Sequence, residues 1–140
     1  MKRFDRGRFL AFGVFSALNA IALALYALAL ATHGRGPAAA AQPVLFVMIA
    51  LCLLAALLAS IKRGHDLDRP GWQVFLAYWA CVAGGPLLLV LVGYLAMARG
   101  TTDRNAYGPP PGRAGWSSWL GAVVMLAMPW LIFAVAVHRG

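Results

Sequence analysis

The chain has 140 residues, 62% of them apolar and only 11% charged, against about 25% charged in an ordinary soluble domain. A soluble protein of this size has too much surface to cover with so few charges, so a membrane protein is the starting class. The net charge of +8 lies outside the long apolar runs; with no zinc-finger spacing, basic helix or stacking platform, it does not point to nucleic acid.

Four apolar stretches, Phe9–Ala31, Val44–Ile61, Val74–Ala98 and Trp119–Val137, contain no Lys, Arg, Asp or Glu. Roughly 20 helical residues cross a hydrocarbon core. The pattern predicts an all-α integral membrane protein, one domain over 1–140, built as a small bundle of four transmembrane helices. A basic segment, Met1–Arg8, precedes the first stretch, and Ala29-Leu30-Ala31 resembles a cleavage site. A signal peptide has an apolar core of about 7–15 residues, so this 23-residue run predicts a retained helix. Gly13, Ala17, Ala20, Ala24, Ala27 and Ala31 alternate at spacings of four and three, a small-residue seam expected to face other helices. Asn19 lies in the middle of the same span. An interhelical hydrogen bond, worth about 0.6 kcal/mol on average, is the plainer reading, and a pore or ligand contact the alternative. Cys52 and Cys81 read as small buried hydrophobes. Without a C-x-x-C pairing they indicate neither a disulfide framework nor a metal site.

Three polar connections separate the stretches: Thr32–Pro43, the charged Lys62–Gln73, and Arg99–Ser118 with three successive prolines at Pro109–Pro111. Four spans with both termini in the cytoplasm place eight cations inside (Lys2, Arg3, Arg6, Arg8, Lys62, Arg63, Arg69, Arg139) and four outside (Arg35, Arg99, Arg104, Arg113). That is the favoured orientation, with Lys62–Gln73 cytoplasmic. Gly84-Gly85-Pro86 offers an alternative, a re-entrant hairpin that returns Arg99–Ser118 to the cytoplasmic side and improves the ratio to ten against two. Its arms, at about 12 residues each, are too short to span, which favours one Pro-kinked helix. Trp72, Trp116 and Trp119 fall near span ends, where indole rings anchor in the headgroup zone.

The segment Lys62 to Trp72, KRGHDLDRPGW, sets three cations, two carboxylates and an imidazole beside the membrane. Its R-x-H-D-x-x-R-x-G-W block comprises Arg63, His65, Asp66, Arg69, Gly71 and Trp72. After the next stretch comes N-x-Y-G-x-x-P, comprising Asn105, Tyr107, Gly108 and Pro111. Over roughly Phe4–Gly112 the chain resembles the bacterial inner-membrane domain-of-unknown-function family 805. It departs from that family at Gly64, where Leu is common, and in its opening segment, where Phe4-Asp5-Arg6-Gly7-Arg8 lacks the usual acidic and Trp positions. The fourth helix lies beyond the resemblance. What the resemblance implies is a multi-pass bacterial inner-membrane protein, with no catalytic residues to carry over.

The residues support three classes of function. Helical i,i+4 pairs (Lys62 with Asp66, His65 with Arg69) and a helix start near Asp68 and Pro70 account structurally for most of the block. The leading functional reading is noncatalytic: Lys62, Arg63, His65, Asp66, Arg69 and Trp72 bind an anionic phospholipid headgroup or a partner protein. In that reading Arg63 and Arg69 grip phosphate, and Asn105, Tyr107, Gly108 and Pro111 form a second motif. The bilayer is then the main partner, with a second copy or another membrane protein also possible. Enzyme chemistry with His65 as base and Asp66 as orienter meets a geometric obstacle, because adjacent helical residues point about 100° apart. No metal set, nucleophile or cofactor motif is present. A transporter or channel component would use an unwound Gly84-Gly85-Pro86, although no charged residue lies within a span.

Overall fold

The computed structural model describes residues 3–33 and 40–139. Helix α1 runs from 6 to 33 in three parts: a turn Arg6–Phe9, a π-helical segment Leu10–Val14, and Phe15–His33. Helix α2 is Gln42–Asp66, α3 is Gly71–Ala83, α4 is Leu87–Met97 and α5 is Trp116–Arg139. Asp5 starts α1 as a side-chain cap, accepting from Arg8 N. This satisfies one of the donors every helix start leaves open. The π segment holds Phe9 over Gly13, where a Cβ would collide with the ring.

Among the described residues three helices, α1, α2 and α5, are long and apolar enough to cross a membrane. The third apolar stretch, expected as one span over 74–98, is instead two short helices of 13 and 11 residues. They are about 20 and 17 Å long, against a hydrocarbon core of roughly 30 Å. The chain turns at Gly84-Gly85-Pro86. Pro86 supplies no N–H and crowds the carbonyl four residues back, and Gly85 sits at φ +63°, a left-handed conformation glycine adopts readily. Hydrogen bonds Gly85 N to Val82 O and Leu88 N to Gly85 O close the turn.

The direction of α4 decides the architecture. Arg63, near the end of α2, donates to Leu95 O and Ala98 O at the end of α4, while Val74 at the start of α3 packs on Gly64. Both ends of the hairpin therefore meet the last turns of α2. Helix α5 runs parallel to α1: Ala114 abuts Gly7, Phe12 abuts Gly121, and Tyr26 packs its ring on Trp130 and Phe133. Helix α2 runs against α1, bonded through Phe4 N to Lys62 O at one end and Gln42 to Ala27 O at the other. Consequently segments 3–8, 62–71 and 97–116 all lie at one end of the bundle, which we call the polar end. The four-span arrangement had placed Lys62–Gln73 and Arg99–Ser118 at opposite ends.

Two apolar clusters hold the helices together. One joins Phe9, Ala17, Ala56, Leu57, Tyr78, Leu88, Val92 and Leu95 near the hairpin; the other joins Ala20, Leu23, Ala27, Leu45, Met48 and Phe133 further along. Ala17, Ala20 and Ala27 of the small-residue seam of α1 lie in them; Gly13 is also buried, and Ala24 and Ala31 are exposed. Beneath the hairpin tip an apolar groove of about 450 Å³ opens between α1, α2, Gly85 and Pro86. Asn19 makes the interhelical bonds of the plainer reading. Its amide donates to Met125 O and Leu126 O, and its oxygen accepts from Trp130 Nε1. Met125 O is the carbonyl that Pro129, four residues on and without an N–H, leaves unpaired within α5.

Candidate functional site

At the polar end the last turn of α2 carries a buried ionic knot. Asp66 is held between two guanidiniums. Arg3 donates to its Oδ1 from Nε (3.1 Å) and Nη2 (2.8 Å), and Arg63 donates to its Oδ2 from Nη1. The three side chains are 1–4% exposed. Burial on this scale requires nearly every donor to find an acceptor, and the chain folds around that need. Arg3 also donates to Thr101 O, Thr101 Oγ1, Asp103 O and Gly108 O. Arg63 also donates to Phe4 O, Leu95 O and Ala98 O. Arg6 adds a bond to Met97 O at 2.7 Å. Three carbonyls that end α4 are thereby met by cations, the charge that a helix C-terminus favours. Gly100 passes so close that a Cβ there would land on the Asp66 carboxylate.

The second motif closes over the first. Asn105 donates to His65 O (2.8 Å) and accepts from Tyr107 N (2.9 Å), making a tight Asx turn. Asn105 and Gly108 then pair backbone to backbone, with Gly108 at φ +117°. Tyr107 stacks flat on His65, ring centroids 4.1 Å apart and 10° from parallel. Thr101 N and Oγ1 both donate to Asp66 O.

Of the first motif, Arg63, His65 and Asp66 are buried and Arg69 and Trp72 exposed, with Lys62 half-buried. Arg63 spends its donors inside the protein, so the phosphate grip expected of it has no free fork to use. His65 and Asp66 share no hydrogen bond; among the described residues Nδ1 of His65 has no partner, and the Asp66 carboxylate accepts only from Arg3 and Arg63. The i,i+4 pairs do not form either: Asp66 pairs with Arg63 and Arg3, and α2 ends before Arg69. Of the second motif, Asn105, Tyr107 and Gly108 lie in the knot's cover, while Pro111 belongs to a wall described next.

Sequence reasoning missed the N-terminal contributors. Counted by charge, Arg3, Arg6 and Arg8 are interchangeable cations, and Asp5 stands out only as part of the Phe4–Arg8 segment. In the structure Asp5 accepts from Ala114 N and Arg8 donates to Gly112 O, tying the Pro-rich loop to α1. The available signal was the partial echo of the family's opening segment. Between that segment and the Pro-rich loop lies a cleft of about 630 Å³, lined by Arg3, Phe4, Arg8, Lys62, Tyr107, Pro109, Pro110, Pro111 and Gly112. Trp72 (63% exposed), Trp116 (80%) and Trp119 (38%) ring the same end.

An all-helical bundle with three helices of spanning length, a short helical hairpin and an ion knot at one end is the architecture of a membrane protein. Residues 1–109 match the family model described as a protein of unknown function, DUF805; the chain belongs to that family, and α5 lies beyond the matched region. No curated protein and no solved structure matches the chain.

Proposed function

We propose that the chain is a noncatalytic multi-pass protein of a bacterial inner membrane. Helices α1, α2 and α5 span, α3 and α4 form a re-entrant hairpin, and the polar end stands in the cytoplasmic headgroup layer and binds anionic lipid there. The observation that carries this reading is the meeting of segments 3–8, 62–71 and 97–116 at one end. By chain order, ten of the twelve Lys and Arg belong to that end, and only Arg35 and Arg139 follow the other. This is the asymmetry that the positive-inside rule describes.

The buried knot supports a structural task for Arg63, His65 and Asp66. The surface task falls to the exposed Arg69, Arg99, Arg104 and Arg113 and to the indole ring at Trp72. Each such cation contributes about 1 kcal/mol on an anionic leaflet. A transport reading has less to draw on, because the groove beneath the hairpin tip is lined by apolar residues and offers an ion no side-chain ligand. The test is lipid enrichment around the protein in nanodiscs of mixed phosphatidylglycerol and phosphatidylcholine. Replacing Arg69, Arg99, Arg104 and Arg113 by Ser one after another lowers phosphatidylglycerol enrichment stepwise. Unchanged enrichment in the fourfold variant overturns the reading.

A further inference from the structure

We propose that the cleft between the N-terminal segment and the Pro-rich loop is a site for one phosphate group, carried by a lipid headgroup or by a soluble phosphate ester. The proposal deepens the headgroup reading and rests on it for the placement of the polar end at an aqueous interface.

The charge of the cleft comes from three places in the chain. Arg3 and Arg8 flank the start of α1, and Lys62 lies on the last turns of α2. No Asp or Glu is among the described residues that line the wall. Lys62 is the most telling residue. Its ammonium sits 4.8 Å from the centroid of the Phe4 ring, and the ion pairs among the described residues are those of Asp66 with Arg3 and Arg63. Among the described residues, a ring face alone meets the three ammonium donors that Lys62 brings to the cleft. Arg8 holds Gly112 O at 3.1 Å and Arg113 O at 3.5 Å, contacts that use part of a five-donor fork. Arg3 has its donors engaged, yet two guanidiniums on one carboxylate leave the knot a net positive charge behind the cleft.

The walls suit a recognised group better than a passing counter-ion. Pro109, Pro110 and Pro111 have fixed φ, and the Asx turn at Asn105 and the His65–Tyr107 stack hold the loop that precedes them. A site whose walls are set before the ligand arrives avoids an ordering cost. Phe4 and the prolines also reduce the water around the cations, which strengthens their pull on an anion. The unused donors of the Arg8 fork and the point charge of Lys62 share one concavity, backed by the net positive charge of the knot, and suit the oxygens of a phosphate.

The experiment uses the full chain. Native mass spectrometry from phosphatidylglycerol nanodiscs counts tightly held lipids, and calorimetry with inorganic phosphate and glycerol 3-phosphate measures the soluble arm. We expect one ligand per chain, and a loss of about tenfold in affinity for Lys62→Ala with Arg8→Ala, the size of one charge-assisted hydrogen bond. Arg69→Ala, outside the cleft, leaves that ligand in place even while it lowers bulk enrichment. Because Arg8 also ties the loop, Pro110→Glu is the second variant. It puts a carboxylate on an exposed wall position and expels the ligand without touching the fold. Retention of lipid alone assigns the phosphate to a headgroup, and binding of inorganic phosphate or glycerol 3-phosphate assigns it to a soluble ester. Binding of neither, or equal binding in all variants, overturns the proposal.

Discussion

The polar end and the middle of the bundle face the same chemical problem and solve it differently. In both, backbone carbonyls have lost their helical partners: Leu95, Met97 and Ala98 because α4 ends there, and Met125 because Pro129 carries no N–H. At the polar end the donors are guanidiniums, from Arg63 and Arg6. In the middle the donor is the uncharged amide of Asn19, whose own oxygen is met by Trp130. The proposed placement accounts for the choice. An Arg at the centre of a span costs roughly 2.5–3.5 kcal/mol on the insertion scale, whereas at the polar end Arg63 is balanced by Asp66 and Arg6 is exposed.

That contrast can be broken from the top down. Asp66→Ala leaves two buried guanidiniums unbalanced, and removing one partner of a buried pair costs about 3–5 kcal/mol. Reversible unfolding in mixed micelles measures it, and a loss under about 1 kcal/mol, the range of ordinary substitutions, contradicts the knot. Tyr107→Ala removes the ring stacked on His65, for a loss of about 0.5–1.5 kcal/mol beyond the buried area, and frees the Asn-Tyr-Gly loop to limited proteolysis. Asn19→Leu costs about 0.6 kcal/mol on average for an interhelical bond in a membrane. Its diagnostic is a double-mutant cycle with Pro129→Ala, which gives Met125 O a helical donor again; the Asn19 effect shrinks in that background, and strictly additive effects would undo the assignment. Arg69→Ala, at an exposed position, changes stability by no more than about 0.5 kcal/mol.

How much of this was legible in the sequence follows the same division. The long helices were plain, because unbroken apolar runs of spanning length have few other uses. The two motif blocks stood out by composition, and the resemblance they carry agrees with the family match. The hairpin was harder. Twenty-five apolar residues from Val74 to Ala98 are as long as one span, and hydropathy does not register that the chain reverses. The usable signals were Gly84-Gly85-Pro86 and the better charge ratio of the hairpin arrangement, which arm length outweighed in the reading. What arm length omits is that Arg63 and Arg6 capture the returning end of α4, a contact spanning more than thirty residues of sequence for Arg63 and ninety-one for Arg6. Arg3 was illegible for a related reason. Its role depends on Asp66, sixty-three residues away, and nothing near it in sequence separates it from its cationic neighbours. The pairing of Asn19 with the carbonyl freed by Pro129 has the same character.

In the proposed topology Lys62–Gln73 and Arg99–Ser118 share one side of the membrane, opposite the end of α5. The direct measurement replaces Cys52 and Cys81 by Ala, introduces a single cysteine as Ala106→Cys or His138→Cys, and applies a membrane-impermeant thiol reagent to intact cells. In that topology position 106 is protected and position 138 labels. Labelling at 106 with protection at 138 would contradict it, restoring a third stretch that crosses the membrane and separating the two motifs that the structure joins.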